Sequence, residues 1–497
     1  MRRRVPIFYN ALLLTAVNLL LRMVGTSFQV YISGRIGAAG VGLLQLVMSV
    51  GSLSMVAGMA GIRTGTMYLT AEELGKNRPE NTGQVLSACF LYSILFSLTV
   101  GGLVFFFAPQ IARYWIRSEE TVQALRILGA FLPCSCLCGV LTGYFTGANR
   151  IRTLAAVEVA EQLCSMAVTL VCLRRWAGQD PGRACTAVVL GGCMGGILTL
   201  LLLTGLRLRE RPVPGAKIKL RRRLASVALP LALADLVKAG ISTAENLMVP
   251  RRLSQNPGVT NPLAAFGTVC GMVFPIVMFP ACILFGLNEL LIPELARCAA
   301  GGSRARISHL VQKGLWAAML YGTVFSGLIY LLSEELCLWL YRSAEAGRYL
   351  RMYAPLIPML YCDAVTDAMT KGLGQQKICV RYNILTSAMD VGILFFVLPV
   401  WGMEGYFFSF LLTHLINFIL SLHRLLKISG EKIRAAVPLS AVTGAVVSVW
   451  AVSHLSNSIL GAVLFLPLFF SFLTLTGTFG KSDIRWFRGL LEPKAGA

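Results

Sequence analysis

Ionisable residues are sparse in this chain, and those that interrupt its longest apolar stretches are of types that hold ions. Arg22 stands near the middle of the run 9–33, which contains no acidic residue. Arg63 lies toward the end of the run 41–69. A guanidinium presents planar, paired donors and a charge that cannot be lost, so two of them in the first half of the chain suit a phosphate-bearing anion. The second half carries carboxylates: Asp235 and Glu245, with Lys238 between them, in the run 226–248, and Glu289 in the run 263–293. These could hold a coupling cation, Na or a proton, or balance the arginines across the molecule. Further charges have local partners at helical spacing. Asp367 and Lys371 are four apart and Asp235 and Lys238 three apart, so each pair could neutralise itself. Asp363, Asp390, Glu158 and Glu161 complete the set, the last two within reach of a nearby arginine.

The elements that carry these residues are long and apolar. The hydrophobic fraction is 56% and only 14% of residues are charged, against about 25% in soluble domains. A hydrocarbon core of about 30 Å needs roughly 20 helical residues to cross it. Fourteen such stretches are read, at 9–33, 41–69, 84–107, 122–146, 154–174, 185–206, 226–248, 263–293, 314–333, 352–370, 382–400, 405–425, 435–454 and 458–477. They are continuous runs rather than the alternating pattern of a barrel, so the expected fold is an all-α polytopic membrane protein. Within lipid a charge costs roughly 2.5–3.5 kcal/mol at the least and normally faces protein or water. Arg22, with no acidic neighbour on its own helix, must find its partner on another helix or on a cargo.

The net charge of +22 does not point to nucleic acid, because the basic residues concentrate in alternate loops. Even-numbered loops and both ends hold roughly 30 Lys and Arg and the opposite side roughly 11, a bias that sets both termini in the cytoplasm. The largest basic block, Arg207 to Arg223, is expected to touch anionic headgroups. Arg2, Arg3 and Arg4 precede an apolar run with no small-residue cleavage site, which reads as an uncleaved first span.

An internal repeat organises the chain. Residues 61–147 align with 286–372 at a constant offset of 225, pairing Gly61 with Gly286, Pro133 with Pro358 and Gly147 with Gly372. Nearby, Trp115-Ile116-Arg117-Ser118 answers Trp339-Leu340-Tyr341-Arg342-Ser343. A unit of six spans enters the membrane twice in the same direction, giving parallel repeats about an axis along the membrane normal. The expected organisation is an N-lobe at 1–210, a basic cytoplasmic linker at 211–225, a C-lobe at 226–428, and two additional spans with a cytoplasmic tail at 429–497. Glycines four apart, such as Gly191 and Gly195, would let helices approach closely. Pro230, Pro275 and Pro280 supply bends.

Enzymatic and metal chemistry lack their signatures. The six Asp residues never fall two apart, and no Gly-x-x-x-x-Gly-Lys-Ser/Thr loop occurs, so neither a metal-binding acidic pair nor ATP use is expected. The 14 cysteines, Cys134, Cys136 and Cys138 included, lack the paired spacing of zinc ligands and read as small apolar filler. No cofactor is expected.

Leu21-Arg22-Met23-Val24-Gly25 followed by Ser33-Gly34-Arg35-Ile36-Gly37 resembles the first-span signature of the polysaccharide-export branch of the multidrug, oligosaccharidyl-lipid and polysaccharide exporter superfamily. Gly61-Ile62 and Thr70-Ala71-Glu72 resemble the end of its second span. Within that branch the chain is most similar to the stage V sporulation protein B group, which is related to lipid II flippases. The resemblance implies two six-helix lobes, related by a pseudo-twofold around a central cavity, plus two C-terminal helices that shape a lipid-tail groove. It implies a bacterial cytoplasmic membrane protein that flips a polyprenyl-diphosphate-linked saccharide for cell-wall, spore-cortex or surface polysaccharide synthesis. Its partners would be that substrate, membrane lipids and cell-wall synthesis proteins, and the molecule would be a monomer. Arg22 matches the first family arginine. The chain has Phe28 where related lipid II flippases carry a second arginine, and Arg63 where the sporulation-type pattern has proline. The alternative is a cation-coupled multidrug and toxin exporter, which would favour carboxylates over arginines in the first lobe.

Overall fold

A computed structural model describes residues 7–76, 78–177, 180–209, 220–431, 436–455 and 457–480. Arg2 to Arg4, most of the 211–225 linker and the tail from 481 lie outside the described residues, as does the side chain of Glu289.

The described chain is helical, with no strand. The helices are α1 (Ile7–Met59), α2 (Ile62–Gly75), α3 (Thr82–Phe106), α4 (Val122–Gly147), α5 (Ile151–Cys172), α6 (Pro181–Leu208) and α7 (Leu220–Leu253). After them come α8 (Pro262–Met278), α9 (Ala281–Ala300), α10 (Arg304–Tyr341), α11 (Ala344–Tyr353) and α12 (Ile357–Gly372). The last three are α13 (Gln376–Ser429), α14 (Ala436–Val452) and α15 (Ser458–Leu475). Among the described residues eight helices are individually long and apolar enough to cross a membrane, and the pair α8 and α9, bent by 60°, is a ninth if it forms one broken span rather than a re-entrant loop.

Two of those helices are too long for one crossing. α1 has 53 residues and α13 has 54, about 80 Å each at 1.5 Å per residue. Each is divided by a glycine outside helical geometry, Gly37 at φ 71° and Gly402 at φ 57°, conformations that a side chain rarely tolerates. The stretches 9–33 and 41–69, and 382–400 and 405–425, fall on the two sides of these breaks. The second stretch is broken again where Ala60 and Gly61 both take positive φ between α1 and α2. Of the other stretches, 263–293 is broken at Phe279 and Pro280 and 352–370 at the turn Ala354–Leu356, so the count of fourteen is approximate.

The described residues group into two compact units, residues 1–275 with 387–409, and residues 276–386 with 410–497. The first contains a core of Ile62, Leu69, Val85, Leu141, Phe145 and Leu203. In the second, α14 and α15 pack on α10 through Leu320, Val452, Phe465, Phe469 and Leu473. Lipid tails are as apolar as these side chains, so packing rests on close fit rather than on escape from water. Gly191 and Gly195 of α6 face α5, and a Cβ on Gly195 would stand 3.0 Å from the Glu161 carbonyl; Gly192 meets nothing within 4 Å. Several threonines in the spans turn their hydroxyls back to the carbonyl four residues earlier, as Thr66 does to Ile62 at 2.8 Å and Thr366 to Cys362 at 2.7 Å, which satisfies them within the helix.

The repeat is visible in local geometry at the same offset. Arg117 (φ 62°) and Arg342 (φ 55°) end corresponding helical turns, and Asn149 (φ 57°) and Gly374 (φ 79°) do so again. The Ser118 amide donates to the Ala112 carbonyl at 3.0 Å, and the Ser343 amide to Cys337 at 3.5 Å. A Cβ on Gly147 would press on the Met67 carbonyl at 2.6 Å, and one on Gly372 on the Ile292 carbonyl at 2.9 Å. Every one of these pairs is 225 residues apart.

Candidate functional site

In the first unit Arg63 and the α1 backbone beside Arg22 border one polar face of α5. Gln162 donates from Nε2 to the carbonyl of Leu21, the neighbour of Arg22, at 3.2 Å. The contact is close because Gly25 has no side chain: a Cβ there would lie 2.9 Å from Gln162 Nε2. One helical turn earlier on α5, Glu158 lies within electrostatic reach of Arg63 and of Glu161. Glu161 is held in turn by the Thr199 hydroxyl of α6, which donates to it at 2.7 Å. Arg22 on α1 and Arg63 on α2 are both exposed at the surface of the unit. The structure thus brings Arg63, Glu158, Glu161 and Gln162 together with the α1 backbone beside Arg22. The carboxylates offset part of the Arg63 charge. Phe28, one and a half turns after Arg22, stacks on Tyr31 with ring centroids 6.4 Å apart.

The carboxylates of α7 divide. Asp235 and Lys238 are both exposed and do not pair with each other. Their spacing permits an ion pair, but both side chains point outward from the helix. Glu245 turns inward. Thr243 donates to the Ser49 carbonyl at 3.1 Å and Asn246 to the Ser49 hydroxyl at 2.9 Å, which fixes this turn of α7 on α1. The same turn places Glu245 in hydrogen-bonding reach of Asp390 on α13. Asp390 is buried and also accepts from the Ser409 hydroxyl. Cys270, 3.6 Å from the Tyr406 hydroxyl, borders Glu245 as well. Two carboxyl groups so close repel when both are charged. Nothing in the sequence joins these two residues. They are 145 positions apart, and no periodicity carries that distance.

In the second unit Lys371 pairs with Asp367 at 2.6 Å, as the four-residue spacing predicts. Asp363 accepts from Asn417 Nδ2 through both oxygens, at 3.2 and 3.1 Å. A cavity of about 950 Å³ runs along α10 between Val311 and Ser326, about 22 Å of helix. Met319, Leu415, Phe418, Leu422, Val442 and Val446 are among its apolar walls, and Gln312, Lys313 and Glu431 form a polar end. Ser308 and Gln312 donate to Glu431, and Lys313 lies over the Trp316 ring at 5.2 Å. Its far wall is α14, one of the two helices outside the repeat. Among the described residues no cluster of His, Cys, Asp and Glu could hold a metal, and all 14 cysteines are free thiols.

Comparison with known proteins places this geometry. The profile of the MatE family matches residues 15–171 and again 230–395. Stage V sporulation protein B of Bacillus subtilis (strain 168) is 22% identical over 397 residues, spanning 78% of this chain and 76% of that protein. Among solved structures, lipid II flippase MurJ in an inward closed conformation superposes with a TM-score of 0.69 at 10% identity, over 97% of this chain and all of its own. An inward-facing multidrug resistance MATE family transporter of the MOP superfamily gives 0.66 at 14% identity, over 84% of this chain and all of its own.

Proposed function

The chain belongs to the MatE family, and from that premise we propose that it is a flippase for a polyprenyl-diphosphate-linked saccharide, acting by alternating access in a bacterial cytoplasmic membrane with both termini inside. The observation that supports the reading is the approach of Arg63, and of the α1 backbone beside Arg22, to one polar face of α5. Two guanidinium groups at membrane depth suit a diphosphate, which needs planar paired donors and a charge that persists out of water. A small organic cation would be repelled by them.

The lipid part of such a substrate has a fitting place. The α10 cavity is long, apolar along its length and polar at one end, the profile of a prenyl chain joined to a headgroup. Helix α14 and the turn after α15 supply the wall that six-span lobes alone lack. Saccharide selectivity would come from polar side chains and water, which tolerate varied sugars.

Coupling is assigned to Glu245 and Asp390. A carboxyl pair that exchanges a proton or Na for its own repulsion changes the charge of the first unit with each cycle. Asp235 and Lys238, exposed on α7, contribute to the field a headgroup meets, and Glu289 is a further candidate for that field. The protein carries out no covalent step and needs no cofactor. Its neighbours would be cell-wall synthesis proteins that make or use the lipid-linked saccharide, and it would act as a monomer.

The second reading, a cation-coupled multidrug and toxin exporter, is favoured by that same carboxyl pair. Purified protein in proteoliposomes separates the two. The flippase reading expects ion-gradient-dependent exposure of a labelled lipid-linked saccharide at the opposite face and no accumulation of a cationic dye. Dye transport without saccharide exposure would establish the exporter.

A further inference from the structure

Away from the α5 cluster, the first unit contains a second cavity, of about 540 Å³, that no step above uses. One stripe of α7 lines it, Gly240, Thr243 and Ala244, Leu247 and Met248, Arg251 and Arg252, and Gln255 follows just past the helix end. That stripe covers about 18 Å of helix. It is apolar in its shaft and cationic at its rim, the polarity of an amphiphile with a negative head. We propose that this recess binds a phosphorylated lipid, with the phosphate at Arg251 and Arg252 and the first part of the chain in the shaft.

The rim is organised rather than loose. The Arg252 guanidinium lies over the Phe395 ring at 3.3 Å and donates to Gln255 Oε1 at 3.0 Å, so its plane is fixed before a ligand arrives. Such a guanidinium retains free donor edges while its faces are covered. Arg251 is exposed and its guanidinium makes no ion pair or hydrogen bond among the described residues. Asn256 donates to the carbonyls of Pro399 and Val400 at 3.1 and 3.0 Å and accepts from the Gly258 amide at 2.8 Å, tying the loop after α7 to the Gly402 break. Opposite the arginines, the turn ended by Arg117 presents Tyr114 and Trp115, 66% and 52% exposed, into the same cavity. Flat amphipathic rings at that level suit a sugar face or the glycerol region of a lipid.

Topology fixes the side. Four helices, α4 to α7, separate the Trp115 turn from the Arg252 loop, so both emerge on one face. With the termini in the cytoplasm, that face is the outer one. An arginine pair ending a helix gains from the helix dipole alone, but the dipole requires neither the aromatic wall nor an apolar shaft beneath. The phosphate could belong to the transported lipid after its passage or to a resident anionic phospholipid. Only the first assignment rests on the flippase reading.

A photo-crosslinking residue placed at Trp115 of the full chain tests this in phosphatidylcholine vesicles containing polyprenyl diphosphate, phosphatidylglycerol or diacylglycerol. The expected result is labelling of a phosphorylated lipid that drops about tenfold in Arg251→Gln/Arg252→Gln, as loss of charge-assisted hydrogen bonds to phosphate requires. Preference for polyprenyl diphosphate identifies cargo and preference for phosphatidylglycerol a resident lipid. Arg251→Gln alone, an exposed change, serves if the double variant does not fold. Equal labelling of diacylglycerol, or labelling indifferent to both arginines, overturns the site. Because binding is read without transport, labelling retained in Arg22→Gln separates this proposal from the fate of the flippase reading.

Discussion

At the scale of single residues, the chain contrasts charges that are neutralised locally with charges held for something else. Lys371 and Asp367 belong to the first kind, their side chains 38% and 18% exposed. Asp367→Asn should destabilise the protein by about 1–2 kcal/mol, below the range for a fully buried pair because Lys371 remains partly exposed. The double change Asp367→Asn with Lys371→Met should cost less than the sum of the two single changes, since it leaves no stranded charge. Thermal unfolding in detergent measures both, and strict additivity would show that the pair is not coupled. The proposed function puts Glu245 and Asp390 in the second kind. Glu245→Gln should leave cargo binding in place and remove the dependence of transport on a Na or proton gradient, as read by flux at varied gradients. An unchanged gradient response would take ion coupling away from this pair. The four-residue pair was legible in the sequence because helical spacing implies contact. The Glu245–Asp390 pair was not, since it is made by the packing of α7 on α13, and Asp235 with Lys238 shows that suitable spacing does not by itself produce an ion pair.

At the scale of elements, glycine decides where helices stop and how near they come. Gly191 and Gly192 are adjacent on α6, yet only Gly191 faces α5, where Thr169 and the Ser165 carbonyl occupy the space a side chain would need. Gly191→Val should therefore cost about 1–3 kcal/mol through overpacking, while Gly192→Val should be close to neutral. The yield and thermal stability of monodisperse protein would check this, and equal effects at the two sites would contradict the packing described. Span positions were readable from sequence because apolar run length is fixed by bilayer thickness. The break at Ala60 and Gly61 was not, because the run continues through it without a polar or proline signal. The π-helical turn at Ile111–Ile116 likewise has no composition to mark it.

For the molecule as a whole, the described residues form two compact units, and the proposed function draws on a different feature of each. The first unit carries Arg22, Arg63 and the polar face of α5. The second carries a long, mainly apolar cavity walled in part by α14, which lies outside the repeat. Filling that cavity, for example with Val442→Trp beside Met319, should slow the passage of a long-chain lipid-linked saccharide several-fold or more and spare a short-chain analogue; equal slowing of both would mean that the cavity does not house the chain. The most direct measurement concerns Arg22. In proteoliposomes matched for protein content, the rate at which a labelled lipid-linked saccharide becomes accessible on the opposite face should fall by about tenfold or more in Arg22→Ala, the loss of roughly 1.4 kcal/mol or more of headgroup stabilisation, and should recover in part in Arg22→Lys. An Arg22→Ala protein that flips the saccharide at the wild-type rate would contradict the account.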